Sequence, residues 1–162
     1  MQETAKKAWR GNEQLRPLLV PIGQLRPHPR NPRRSDDGEI AKSLRRFGQQ
    51  RPVLALPDGT LVAGHGTWRA AGAEGWQEIA AVRSDLTDQE VEAYLLADNR
   101  LSDLGLYDDE ALAELLGSLP DLDGTGNGAE DLEQLLAFLE PAAPTDPAGP
   151  TLAERVGVPP FT

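Results

Sequence analysis

The run Thr60-Leu61-Val62-Ala63-Gly64-His65-Gly66-Thr67-Trp68-Arg69-Ala70-Ala71 constrains the fold more than any other stretch of the chain. Thr60 to Ala63 has the composition of a short buried strand. Trp68 to Ala73 reads as a short helix stopped by Gly75, and only a Gly-x-Gly turn separates strand from helix. Such a connection sets a helix N-terminus at the end of a sheet strand. The glycines let backbone approach a ligand closely, and the first helical turn offers unpaired N–H groups to an anion. Thr67 can add a hydroxyl donor and Arg69 a charged one. A tight structural turn would read the same way. The motif is neither a dinucleotide-binding fingerprint nor a Walker A loop, since the terminal Lys-Ser/Thr is missing.

The flanking sequence fits an α/β (α+β) domain. Val53 to Leu56 reads as a strand paired with Thr60–Ala63 across the Pro57-Asp58-Gly59 turn. Trp76 to Val82 suggests a third strand after the hairpin, and Leu18 to Ile22 another, kept to an edge by Pro17 and Pro21. Between Pro27 and Pro32, three prolines in six residues forbid a helix and leave an extended basic loop. Asp36 or Asp37 can then cap a helix with Ile40, Leu44 and Phe47 on one face, ended by Gly48. Thr87 or Asp88 opens a longer helix with Val91, Tyr94, Leu95 and Leu101 on one face. Helical patterns recur at 109–118 (Leu112, Leu115, Leu116, Leu119) and 130–139 (Leu132, Leu135, Leu136, Leu139), separated by a Gly-rich linker at 123–128. These segments divide the chain into a polar lead (1–14), a compact domain (15–107), an acidic helical extension (108–140) and a Pro-rich tail or linker (141–162) that reads as disordered or extended.

The formal charge of −10 hides a split. Residues 1–83 hold 14 of the 16 basic residues and 8 acids, a balance of +6, while residues 84–162 hold 2 basic residues and 18 acids, a balance of −16. The first part can therefore attract a polyanion although the whole chain would not. The absence of cysteine excludes a disulfide scaffold, a thiolate zinc site and a thiol nucleophile. His28 and His65 are too few for a histidine metal cluster. No apolar run approaches a membrane span, the N-terminus does not read as a signal peptide, and a cytoplasmic protein of a bacterial or phage-infected cell is the expected setting.

Four segments resemble the boxes of the ParB chromosome- and plasmid-partition proteins, in the same order. Gly64-His65-Gly66-Thr67-Trp68-Arg69-Ala70-Ala71 resembles that family's Gly-Glu-Arg-Arg-x-Arg-Ala box, and Asn31-Pro32-Arg33 its Asn-Pro-x-x-x-Arg region. Gly48-Gln49-Gln50-Arg51-Pro52-Val53 is similar to the Gly-x-x-Gln-Pro-Ile/Val segment, and Ala97-Asp98-Asn99-Arg100 falls where the family carries Glu-Asn-Ile-Gln-Arg. The resemblance, over about residues 18–107, implies the ParB/sulfiredoxin-like fold: a mixed sheet of short strands with flanking helices. It also implies one pocket for a nucleoside triphosphate (CTP or ATP) with Mg²⁺. Gly64, His65, Gly66, Thr67 and Arg69 would cradle the phosphates, Gln50 and Arg51 would flank base or phosphates, Arg33 would lie near the polyphosphate, and Asp98 or Asn99 would approach the metal.

The sequence departs from that pattern in ways that bear on activity. His65-Gly66-Thr67 stands where the family has Glu-Arg-Arg, so two phosphate-binding arginines are lost and affinity should be lower. The sulfiredoxin branch's reactive cysteine is Thr67 here, which excludes thiol chemistry. No strong general base is apparent, so the expected activity is at most a slow nucleoside triphosphatase or a nuclease-like one. No recognition helix for a partition site follows residue 107. The boxes look most like those of ParB-like domains from bacteriophages and mobile elements, which implies a role in their DNA metabolism and a fused or associated DNA methyltransferase as partner. The ending Gly157 to Thr162 looks like a junction to something further. An alternative reading is a DNA-binding or nuclease-like module using Arg30, Arg33, Arg34, Arg45 and Arg46, and another is a regulatory protein that has lost its ligand. A homodimer is compatible with each. Trp68 and Trp76 read as core residues, Trp9 as lying outside the core, His28 as a surface residue and His65 as facing a ligand.

Overall fold

A computed structural model describes residues 7–140, so the Pro-rich tail expected over 141–162 and the first part of the polar lead lie outside the described residues. Four short strands, β1 (Leu19–Pro21), β2 (Val53–Ala55), β3 (Leu61–Ala63) and β4 (Glu78–Arg83), form one mixed sheet in the order β1-β4-β2-β3. The hairpin β2–β3 is antiparallel, β2 and β4 run parallel, and β1 pairs antiparallel with β4. The parallel pair requires a crossover, supplied by helix α2 (His65–Ala73). The proline-bounded strand β1 lies at the edge as its composition demands, and β4 is central, with Ile79 and Ala80 fully buried.

Helix α1 (Asp37–Phe47) is capped by Asp36, whose Oδ1 accepts from the N–H groups of Gly38 and Glu39 at 3.0 and 3.1 Å. Leu44 is buried and Ile40 packs on the core, but Phe47 is exposed beneath the Arg46 guanidinium. Ala70 and Ala71 of α2 are fully buried in the main cluster with Leu25, Leu44, Val53, Leu61 and Trp76. Small side chains there let α2 sit close to both α1 and the sheet. Trp68 is half-buried against this cluster and donates from Nε1 to the Ile22 carbonyl at 3.1 Å.

Residues 7–12 belong to this body rather than to a detached lead. Trp9 packs on the core, and its Nε1 donates to Gln49 Oε1 at 2.9 Å. Gln49 is only 1% exposed. Its Oε1 also accepts from the Ala80 N–H at 2.8 Å, and its Nε2 donates to the Ala80 carbonyl at 2.9 Å. A buried amide must be fully paired. Here it acts as an extra rung on β4, and Trp9 is drawn in to complete it.

Helix α3 (Asp88–Asp103) opens with a Thr87–Glu90 capping box. Val91 and Leu95 are buried against Val62 of β3, whereas Tyr94 and Leu101, expected on the same face, are exposed. The stripe through Val91 and Leu95 continues at helical spacing into Asp98, Asn99 and Ser102. The apolar face thus ends after Leu95, and the next turns of that face are polar. Helices α4 (Asp109–Ser118) and α5 (Ala129–Leu139) pack on each other, burying Ala113 and Leu116 but leaving Leu115 and Leu136 largely exposed. Their connection docks on α1, where Arg46 pairs with Asp121 at 2.6 Å and Gly124 lies against the backbone of Lys42 and Ser43. Among the described residues, no helix is long and apolar enough to cross a membrane.

Candidate functional site

Both glycines of the turn are demanded by packing. Gly64 has φ +86°, and a Cβ there would lie 2.6 Å from Val53 Cγ1 on β2. A Cβ on Gly66 would lie 2.5 Å from Ser35 Oγ and 2.6 Å from Ile40 Cδ1. The chain therefore brings the first turn of α2 hard against the start of α1. No side chain caps α2, and the Trp68 N–H, bonded to the Gly64 carbonyl at 2.9 Å, is the first to close the helix. The earlier N–H groups have no intrahelical acceptor and are available to an anion.

This turn forms the floor of a cleft of about 200 Å³. The loop before α1 contributes Asn31, Arg33 and Ser35 to one side, and α3 contributes Leu95, Asp98, Asn99 and Ser102 to the other. Of the residues the sequence singled out, Gly64, His65, Gly66, Thr67, Arg69, Arg33, Asp98 and Asn99 come together here. Gln50 and Arg51 do not. They line a neighbouring depression with Phe47 and Gly48 that shares only Ile40 and Thr67 with the cleft. The chain reverses at Gly48, and Gln50 Nε2 donates back to the Phe47 carbonyl at 2.6 Å, which holds this segment on the far side of Ile40. Ser35, Leu95 and Ser102 were missed by sequence reasoning. The signal for Ser102 was the polar continuation of the α3 stripe that starts after Leu95. Ser35 carried none, because only the fold brings the start of α1 to Gly66.

The charges in and around the cleft are largely spoken for. Arg69 forms a bidentate pair with Asp37, at 2.8 and 3.1 Å, and also donates to Ser35 Oγ at 2.8 Å. The Arg69 guanidinium, helped by the Ser35 hydroxyl, holds the Asp37 carboxyl below the usual carboxylate range. Arg33 donates to Asp103 Oδ1 at 3.0 Å and to the Asn99 carbonyl at 3.3 Å. Arg30 pairs with Glu92, Arg45 with Glu74, and Arg46 with Asp121. Among the described residues, Arg34 alone of the five proposed nucleic-acid contacts has no ion-pair partner. Arg45 and Arg46 lie at the opposite end of α1 from Arg34, roughly 15 Å away at 1.5 Å per residue.

His65 is 7% exposed, and its Nε2 accepts from the His28 backbone N–H at 3.2 Å. Burial first, then the charges of Arg69 and His28, pushes its pKa down to about 4. The ring is a neutral dock for the loop before α1, with the proton on Nδ1 inferred from that bond. It carries no charge toward an anion. His28 correspondingly anchors its loop. Among the described residues, no cluster of three or more His, Asp or Glu could hold a metal unaided. Asp98 and Asn99 supply one carboxylate and one amide. Mg²⁺ is commonly held by one or two carboxylates together with substrate phosphates. The pair therefore fits a metal arriving with a polyphosphate and does not fit a stand-alone metal centre.

The fold and its cleft define a small α/β domain of the partition-protein kind. Residues 5–100 match the ParB N-terminal domain, and the chain belongs to that family. It is 39% identical over 103 residues to the chromosome-partitioning protein Spo0J of Thermus thermophilus, covering 56% of this chain and 38% of that protein. It is 31% identical over 83 residues to the ParB-like nuclease domain-containing protein YnaK of Escherichia coli, covering 49% of this chain and 95% of that protein. The similarity to a probable chromosome 2-partitioning protein ParB of Deinococcus radiodurans is 31% over 144 residues, covering 72% of this chain and 47% of that protein. The chain thus spans less than half of these two partition proteins. The crystal structure of C-terminally truncated ParB from Caulobacter crescentus complexed with CTP-gamma-S shares the fold, with a TM-score of 0.52 and 24% identity over 73% of this chain and 69% of that one.

Proposed function

We propose that the cleft binds a nucleoside triphosphate with Mg²⁺, with CTP as first choice. The observation that carries this reading is the uncapped first turn of α2 facing Asp98 and Asn99 across the cleft. The shared fold with a ParB complexed with CTP-gamma-S supports the choice of nucleotide. Phosphate oxygens would accept from the first-turn N–H groups and the Thr67 hydroxyl, with Arg33 at the rim. Asp98 and Asn99 would hold the magnesium, which would supply charge neutralisation between the phosphates. The base would lie toward the mouth, since about 200 Å³ is below the roughly 300–1,000 Å³ of enclosed small-molecule sites. Hydrolysis is slow in this reading, because the Nε2 lone pair of His65 is taken by the His28 N–H and its lowered pKa makes it a weak base. The setting we propose is the DNA metabolism of a phage or mobile element, in the cytoplasm.

The DNA-binding reading, with or without a methyltransferase partner, is less well supported because Arg45 and Arg46 sit at the far end of α1 from Arg34, so the five arginines do not cluster in one place. Calorimetric titration of the full chain with CTP, ATP and GTP, with and without Mg²⁺, tests the proposal. We expect CTP binding that Mg²⁺ strengthens. Asp98→Asn should weaken binding about tenfold, or ~1.4 kcal/mol, with Mg²⁺ present and leave it unchanged without. No heat with any nucleotide at millimolar concentration would overturn the proposal and favour the regulatory reading.

A further inference from the structure

Arg69 borders the cleft, yet its guanidinium is committed elsewhere. Nε donates to Asp37 Oδ2 at 2.8 Å, and Nη2 to Asp37 Oδ1 at 3.1 Å and to Ser35 Oγ at 2.8 Å. The Ser35 hydroxyl donates in turn to Asp37 Oδ1 at 2.8 Å. The three side chains form a closed ring of charge-assisted bonds, with a planar fork that Lys could not reproduce. Asp37 is also the first residue of α1, where the helix dipole favours a carboxylate. The ring lies where Gly66 abuts Ser35 and Ile40, so it fastens the start of α1 to the first turn of α2.

We infer that Asp37 and Arg69 are positioning residues for the cleft: their pair fixes the first turn of α2, and Arg69 is not itself a phosphate ligand. This rests on the reading of the cleft as a polyphosphate site. A polyphosphate that captured Arg69 would strip Asp37 of its partner and leave that carboxylate beside several like charges. Keeping the pair avoids that repulsion, and the anion is then met by backbone N–H groups whose direction the pair sets. The paired Arg69 adds almost no net charge to the cleft.

The test is CTP–Mg²⁺ affinity of the full chain, measured by calorimetry across a range of salt concentrations. The variants are Asp37→Asn, Arg69→Ala, the double variant Asp37→Asn/Arg69→Ala, and the charge swap Asp37→Arg/Arg69→Asp. Asp37→Asn is nearly isosteric, and circular dichroism checks that each variant is folded. We expect each single variant to weaken binding about tenfold and the double to be no weaker than the worse single, as coupled residues behave. The swap should recover part of the loss, and the salt dependence should match the wild type in the double variant and the swap, which keep the pair's net charge at zero. Tighter or unchanged binding by Asp37→Asn, with loss in Arg69→Ala and a shallower salt dependence, would overturn the inference and make Arg69 a direct ligand. Wild type that binds no nucleotide overturns the proposed function and this inference together. Wild type that binds, with Asp37→Asn binding more tightly, overturns this inference alone.

Discussion

The two walls of the cleft are built by different physics. On the α1–α2 side, Gly66 touches Ser35 and Ile40, the Asp37–Arg69–Ser35 ring closes over that contact, and Leu44, Ala70 and Ala71 bury behind it. On the α3 side, Val91 and Leu95 anchor the first half of the helix on Val62, Leu54, Leu56 and Leu86. Exposed ion pairs, Arg30–Glu92 and Arg33–Asp103, add to this, while Leu96 and Leu101 are 61% and 69% exposed. Exposed pairs contribute little, on the order of 0–1 kcal/mol each. Folding itself sets the wall that offers N–H groups, whereas the wall carrying Asp98 and Asn99 is only loosely held beyond Leu95. A ligand bridging them would add order to the second wall and find the first already in place.

The same side chain placed on each wall should have very different effects. Gly64→Val would place a β-branched residue at φ +86° and drive its Cβ into Val53. The expected cost is about 3 kcal/mol or more, read from urea denaturation. Ser102→Val, in the solvent-exposed last turn of the stripe that lines the cleft, should stay within about 0.5 kcal/mol. Similar losses at both positions would mean that the walls are equally rigid.

Acid attacks the α2 wall through His65. The ring is neutral in the fold, with its pKa depressed from 6.5 to about 4. Above pH 6.5 it is unprotonated in both states and adds no pH dependence. Between 6.5 and about 4 the unfolded chain binds a proton that the folded chain refuses, so stability falls as pH falls. Below about 4 both states are protonated and this contribution ends. The whole window is worth up to about 3 kcal/mol. His65→Gln retains an acceptor for the His28 N–H but does not titrate. The stability of wild type relative to this variant, followed from pH 7 to 4, should fall by about that amount, and a constant difference would show that His65 is not held neutral.

Much of the first wall was legible in the sequence, because local rules decide it. The strand, the Gly-x-Gly turn and the short helix follow from composition, and Asp36 acts as the cap its position suggests. Packing across the fold was not legible. The sequence reading of Gly66 as making room for a ligand missed that Ser35 and Ile40 fill that space. Arg69 reads in the sequence as a charged donor to phosphate, since nothing local announces Asp37, 32 positions away, as its partner. On α3 the error had a local remedy: Leu101 was placed on the buried face, but the stripe through Val91 and Leu95 leads to Asp98, Asn99 and Ser102. Trp9 was set outside the core because a buried Gln49 needing a donor cannot be seen in a linear pattern.

Arg30→Ala removes the pair with Glu92 on the first half of α3, where the two Arg30–Glu92 contacts measure 2.6 and 2.7 Å but both side chains are exposed. Global stability should fall by about 0.5 kcal/mol or less, and less still at high salt. Amide hydrogen exchange should register more than the global measurement does. Helix α3 is tied to the loop before α1 by few contacts, of which Arg30–Glu92 is one, so losing it raises amide exchange along α3 without changing α1 or α2. Adding CTP with Mg²⁺ should reverse that increase if Asp98 and Asn99 take part in binding. Faster exchange in α2 as well would mean that the walls move as one unit, and the contrast drawn between them would fail.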